Sequence, residues 1–229
     1  MPITPDLPKT EAAIVEMTNA FRRENALSVV KTEGKLAKAA RDYARFLAAA
    51  PIFSHEADGR RPQDRIKAAG YAPCHTAENL AWMLDSRGFE TRDLAYKLVE
   101  GWKKSPPHRK NLMLQHVMET GVAVAKVTGA EKYMAVQLFG RPQSMQYTFS
   151  IENRAGRMVP YKVGTQKVEL KANTLVRHTV CDPVVLELQV GGLNASQKSA
   201  TTRYAARDGQ IYRLTRAKSG EVKVEVGSR

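Results

Sequence analysis

Glu100-Gly101-Trp102-Lys103-Lys104-Ser105-Pro106-Pro107-His108-Arg109-Lys110-Asn111-Leu112 is the stretch from which the fold can be read. Upstream of it, Leu94, Ala95, Leu98, Val99 and Trp102 recur at helical spacing and predict a helix over 92–104. Pro106 and Pro107 cannot continue that helix, because each lacks an N–H and the residue before a proline is pushed out of the α region. The sequence therefore places His108 just past a helix C-terminus, on a stiff turn that points its ring in one direction.

Working outward, Thr120–Val127 and Tyr133–Phe139 read as two strands joined by a loop over 128–132. Before the helix lie two more helical patterns. Thr10–Asn25 carries Ile14, Met17 and Phe21 on one face, with Thr10 as its N-cap. Gly34–Ala50 carries Leu36, Ala39, Ala40, Tyr43, Phe46 and Leu47. Pro51 ends the second helix, 53–59 is a loop, and Pro62 opens a short helix with Ile66 and Ala69 facing in and Gly70 closing it. Ala77–Met83 reads as a helical turn or a strand edge holding Glu78 and Asn79. Trp82 and Trp102 read as core. Residues 1–9, rich in proline, read as a disordered lead-in. Helices followed by a hairpin give an α+β class for 10–142.

From 143 to 229 the pattern changes to eight short alternating segments separated by turn signals, among them Gly191-Gly192, Asp208-Gly209 and Ser219-Gly220. This predicts a small all-β, sandwich-like domain, with Asp208-Gly209 as a two-residue hairpin turn. His178 is a lone histidine on a strand and reads as structural. The chain of 229 residues carries a formal net charge of +13, spread over both halves: residues 1–141 hold 22 basic and 16 acidic side chains, and 142–229 hold 14 and 7. Such a charge favours anionic surfaces such as the cell envelope. The basic residues come as singles and pairs, without a nucleic-acid motif, so nucleic acid is not an expected partner. No apolar run approaches the roughly 20 residues of a membrane span. The N-terminus lacks an apolar signal core, so the protein is either cytoplasmic or has its leader missing from this sequence. Cys74 and Cys181 allow one disulfide or two unpaired thiols.

His55, Glu78 and His108 are the candidate site, each in or beside a loop. Two imidazoles and a carboxylate suit either a divalent ion with an open position or general acid–base chemistry. Separations of 23 and 30 residues match no local metal motif, and each histidine can equally brace its own loop. Ser54 beside His55 has no Gly-x-Ser-x-Gly elbow around it.

The same residues carry a resemblance. Trp102-x-x-Ser105-Pro106-x-His108-Arg109-x-Asn111 resembles a signature of bacterial members of the CAP superfamily, which groups cysteine-rich secretory, antigen 5 and pathogenesis-related proteins. Phe53-Ser54-His55 with Asp58-Gly59-Arg60, Asp64-Arg65-Ile66 and Gly70-Tyr71 comes earlier in the same order. Ala77-Glu78-Asn79-Leu80-Ala81 and Thr120–Ala125 with Phe139-Gly140 complete the set, over about 14–141. The resemblance implies an α-β-α sandwich around an antiparallel sheet and a secreted or periplasmic location. It also implies a cleft lined by two histidines and two acids that holds zinc or magnesium in some members. His55, Glu78 and His108 match three of those four positions. The fourth acid follows the tryptophan by three residues in animal and plant members, where this chain has Ser105. Glu100 is an acid on the same helix but off the family's position. Arg109 and Asn111 read as structural. The expected function is an extracytoplasmic binding protein whose cleft holds a ligand or a weakly bound divalent ion. The alternatives are a metal- or histidine-dependent hydrolase acting on peptide or cell-envelope substrates, and lipid binding.

Overall fold

The structure, a computed structural model, describes residues 1–191 and 199–228. The chain divides into two compact units, Met1–Ser144 and Met145–Arg229.

The first unit holds helices α1 (Leu7–Glu24), α2 (Gly34–Ala49), α3 (Pro62–Ala68), α4 (Thr91–Lys104) and α5 (Pro106–Leu112). Its four strands are β1 (Lys31–Thr32), β2 (Pro73–Leu84), β3 (Glu119–Lys126) and β4 (Lys132–Pro142), in the order β1-β3-β4-β2. Apart from the short parallel β1, the sheet is antiparallel. Each face of the sheet is covered by helices, because β3 and β4 are apolar on both sides. On one face Ile14 and Phe21 of α1, Leu94, Leu98 and Trp102 of α4 and Leu112 of α5 pack on Val122, Val124 and Phe139. On the other, Leu36, Tyr43 and Leu47 of α2 and Ile66 of α3 pack on Ala123, Val136 and Leu138. The α-β-α sandwich follows. Close packing of α2 on β3 requires Gly121: a Cβ there would lie 2.2 Å from the backbone of Leu36 and Ala37.

Several expectations are corrected. The lead-in is ordered: Ile3 bonds to Arg87 and Phe89, and Asp6, three residues on, caps α1 in place of Thr10 by accepting the Lys9 N–H. Pro106 and Pro107 do stop α4, but they open α5 instead of a rigid turn. Prolines are tolerated there because first-turn N–H groups have no partner in the helix to lose. His108 is thus a helical residue. Trp82 is not core: β2 is an edge strand, the residue is 46% exposed, and Lys132 Nζ sits 4.7 Å above its ring. Phe46 is 40% exposed and stacks on Tyr43, at the margin of the α2 stripe.

The second unit contains β5 (Tyr147–Asn153), β6 (Val159–Val163), β7 (Gln166–Leu170), β8 (Thr174–Val180), β9 (Val185–Gly191), β10 (Ser199–Ala205), β11 (Gln210–Arg216) and β12 (Val222–Ser228). They run β7-β6-β9-β12-β11-β5-β8, with β10 beside β9, and among the described residues β9 and β12 meet at Val222 and Gly191. The sheet is nearly closed around Phe149, Ile151, Tyr161, Leu186, Leu188, Tyr212 and Leu214. Ser219-Gly220 closes the hairpin of β11 and β12. Asp208-Gly209 does not form the expected hairpin. It joins β10 to β11, which do not pair, and is tied to β5 instead: Asp208 accepts the Thr148 N–H, and the Gly209 N–H reaches the Thr148 carbonyl. Gly192, of the expected Gly191-Gly192 turn, lies outside the described residues. His178 stacks on Phe149 and lies 2.9 Å from the Tyr161 hydroxyl, a structural placement.

Candidate functional site

The site forms at the edge of the first unit's sheet, where, among the described residues, β2 has no strand beyond it. A strand sends successive side chains to opposite faces. Glu78 therefore points to the α2–α3 face and Asn79 to the α1–α4–α5 face. Glu78 meets His55, whose Nδ1 is 2.7 Å from Oε1. An ionised carboxylate only accepts hydrogen bonds, so the His55 ring donates to it from Nδ1. The His55 side chain is 50% exposed, while that of Glu78 is 2% exposed.

Arg65 on α3 organises this half of the site. Its Nη2 donates to both Glu78 oxygens, at 3.1 and 2.8 Å, and to the His55 carbonyl at 2.9 Å. Its Nη1 donates to Asp58 and to the Arg60 carbonyl. The guanidinium lies 3.4 Å from the centre of the Tyr43 ring, and the Tyr43 hydroxyl in turn donates to the Ser54 carbonyl. One buried cation thus fixes the whole 54–60 loop. Burial raises the Asp58 carboxyl, but the N–H and guanidinium of Arg60 and the charge of Arg65 outweigh it and hold Asp58 below the usual range. The Ser54 hydroxyl accepts the Glu56 N–H, a local turn bond that does not involve the imidazole next door.

The other half is α5. Asn79 Nδ2 donates to the His108 carbonyl at 3.2 Å, and Asn111 Nδ2 donates to the Glu78 carbonyl and to Asn79 Oδ1 at 3.0 and 2.9 Å. Arg22, fully buried on α1, donates to the Leu112 carbonyl at 2.7 Å. These bonds fasten α5 against the exposed edge of β2, where the Trp102 indole also donates to the Leu80 carbonyl. His108 Nδ1 lies 2.9 Å from Ser105 Oγ. Burial first, and then the nearby charge of His55, pushes His108 below its ordinary value. The structure joins His55 to Glu78 directly, while His108 is tied to β2 through its carbonyl, which accepts from Asn79. Glu100, on α4, pairs with Lys103 at 2.8 Å.

Arg65, Asp58 and Tyr43 are the site residues that sequence reasoning did not assign. Asp58 and Arg65 stood inside quoted blocks, but nothing local in the chain says that the guanidinium reaches back to a strand 13 residues on. Among the described residues no three His, Cys, Asp or Glu side chains are placed to share one metal ion. The carboxylate that touches His55 already accepts from Arg65 through both oxygens.

Residues 15–139 match the cysteine-rich secretory protein (CAP) family. The uncharacterized protein YkwD of Bacillus subtilis (strain 168) is 28% identical over 113 residues, 49% of this chain and 41% of that protein, so the match spans less than half of that relative's length. An outer surface protein from Borrelia burgdorferi is 22% identical with a TM-score of 0.54, covering 62% of this chain and 100% of that one. An extracellular protein containing an SCP domain from Bacillus anthracis str. Ames is 23% identical with a TM-score of 0.49, covering 62% and 45%. Four ordered sequence blocks, helices on both faces of a β1-β3-β4-β2 sheet and a match across more than half the chain make this protein a member of the CAP family.

Proposed function

We propose that this chain is an extracytoplasmic CAP-domain binding protein. Its site presents the His55 and His108 imidazoles to a ligand, and Glu78 braces the first of them from within. The observation that carries this reading is the buried pair of Arg65 and Glu78, with side chains 5% and 2% exposed. That carboxylate is held by a guanidinium through both oxygens and by an imidazole, and with its side chain 2% exposed it lies out of a substrate's reach as a base. The same pair argues against a resident divalent ion. A cation approaching Glu78 would meet the fixed positive charge of Arg65, in a site where that charge is little screened. The donor set therefore fits metal poorly. The cavity beside Arg65, about 230 Å³, mixes the charged Lys38, Asp42, Asp58 and Arg60 with Tyr43 and Phe46 and is small for a lipid chain.

The extracytoplasmic location is supported by the secretory family that the first unit matches and by a relative whose name places it on the outer surface of its cell. No helix of the described residues is long and apolar enough to cross a membrane. The positive charge of both halves suits contact with an anionic envelope surface, and the β-rich second unit is the part we assign to that contact.

Calorimetry with Zn²⁺ tests the reading, alongside turnover assays on peptide and cell-wall substrates. The expected result is no saturable 1:1 zinc isotherm and no turnover. Chelator-sensitive hydrolysis abolished by Glu78→Gln would replace it with the hydrolase reading, and a zinc isotherm lost in His55→Ala and His108→Ala would place a divalent ion in the binding site.

A further inference from the structure

A cavity of about 570 Å³ opens on the outer face of the second unit's sheet, where β10, β9, β6 and β7 lie side by side. Side chains facing inward from these strands, such as Tyr161, Leu186 and Leu188, build the core, and the alternate ones supply most of the cavity wall. The register sets these outward side chains in rows. Lys167 stands opposite Lys162, Lys162 opposite Glu187, and Glu187 opposite Arg203. Glu187 is bonded to Lys162 at 3.2 Å and to Arg203 at 2.8 Å. One carboxylate thus serves two cations, and Lys167 is left facing a lysine, an arrangement that costs stability. Beside this row Glu169 stands opposite Pro160, and Gln189 opposite Thr201. Among the described residues neither Lys167 nor Glu169 is in an ion pair, and both are exposed. The wall therefore holds an unpaired cation and an unpaired acid on β7, with an amide and a hydroxyl across from them on β9 and β10.

We propose that this cavity binds a neutral glycan. The inference rests on the reading of the chain as a binding protein whose second unit contacts the cell envelope, and it names what that unit holds. A sugar hydroxyl is donor and acceptor at once. A chain of hydroxyls accepts from Lys167, donates to Glu169 and pairs with the Gln189 amide and the Thr201 hydroxyl, with no net charge to compensate. An anion seated at Lys167 would meet Glu169 two residues along the strand, and a cation at Glu169 would meet Lys167. The two lysines and two glutamates of the wall cancel, so the positive charge of the unit is not concentrated here. Four neighbouring strands at a spacing of about 4.8 Å span roughly 14 Å, over which a short oligosaccharide lies across the sheet.

The test is binding of the full chain to immobilised neutral and acidic glycans, followed by titration with the soluble form of the best binder under ¹H–¹⁵N NMR detection. Binding to neutral glycans is expected, with shifts at Lys167, Glu169, Gln189 and Thr201. Lys167→Met and Glu169→Met should each weaken it by about fivefold or more, while the amide spectrum of the second unit otherwise stays unchanged. The signs of the two effects discriminate between ligands. An anionic ligand binds Glu169→Met more tightly than the wild type, and a cationic one binds Lys167→Met more tightly; either result overturns the neutral glycan. So does the absence of any neutral glycan bound above background, or a response of these residues to triglycine and to no glycan, which assigns a zwitterionic peptide instead. The cavity and the His55 site lie in different units, so each of these failures leaves the reading of the first unit standing. Chelator-sensitive turnover lost in Glu78→Gln overturns that reading and leaves the glycan result as measured.

Discussion

Arg65 is the residue on which the site depends most. Its guanidinium supports Glu78, Asp58 and the carbonyls of His55 and Arg60 at once, while stacking on Tyr43. Removing one partner of a buried ion pair leaves an uncompensated charge, at a cost of about 3–5 kcal/mol. Arg65→Met is therefore expected to destabilise the first unit by that order, and Arg65→Met/Glu78→Gln to recover a large part of the loss. Urea unfolding followed by tryptophan emission measures it, since both tryptophans, Trp82 and Trp102, lie in that unit. A single variant as stable as the wild type would mean that Glu78 does not depend on Arg65 for its charge. His178 gives a second prediction at this scale. Burial holds its ring below the ordinary value of 6.5, so the unfolded chain takes up the proton first. The stability it contributes is complete above about pH 6.5 and is lost as pH falls through the folded value. The ¹³C shift of its ring should titrate below that of a free histidine, and His178→Gln should flatten the acid limb of the second unit's unfolding. A ring titrating at or above about 6.5 contradicts the assignment.

Among the elements, α2 and β3 lie in close contact. Their approach leaves no room for a methyl group at Gly121, where a Cβ would meet the backbone of α2 itself. Backbone cannot swing aside as a side chain can, so Gly121→Ala must push the helix off the sheet. The expected loss is about 1–3 kcal/mol or more, with disturbed packing around Leu36 and Tyr43; an unchanged urea midpoint would show that α2 shifts freely. The elements also show which features were legible beforehand. The apolar stripe of α4 was legible to the residue, because Leu94, Ala95, Leu98, Val99 and Trp102 form one helical face and all five are buried. The hairpin of β3 and β4 was legible for the same reason. The start of α5 was not. Two prolines carry the same sequence signal whether a helix ends before them or begins at them, and only the following residues' packing on β2 selects the second. Trp82 misled for a different reason: its apolar character says nothing about whether its strand lies at the centre or the edge of a sheet.

At the scale of the molecule, each unit has its own core. One is built on the sheet of β1 to β4 and the other inside the strands β5 to β12. A fragment of residues 1–144 is therefore expected to fold alone, with dispersed NMR signals and a cooperative unfolding transition followed by tryptophan emission. A fragment lacking dispersion would show that the first unit needs the second.

By itself the sequence determined the elements and their order: stretches of helix and a hairpin around one signature, then a run of alternating strands, and with them the family. Those features are local, since periodicity and turn chemistry act over a few residues. Only the tertiary structure decided what the site is. The pairing of Glu78 with Arg65, the partnering of each imidazole through Nδ1 and the helical setting of His108 depend on which faces meet across the sheet. A charge in the chain does not announce its partner; folding chooses it by bringing one guanidinium, among many basic residues, against a carboxylate that water can no longer reach.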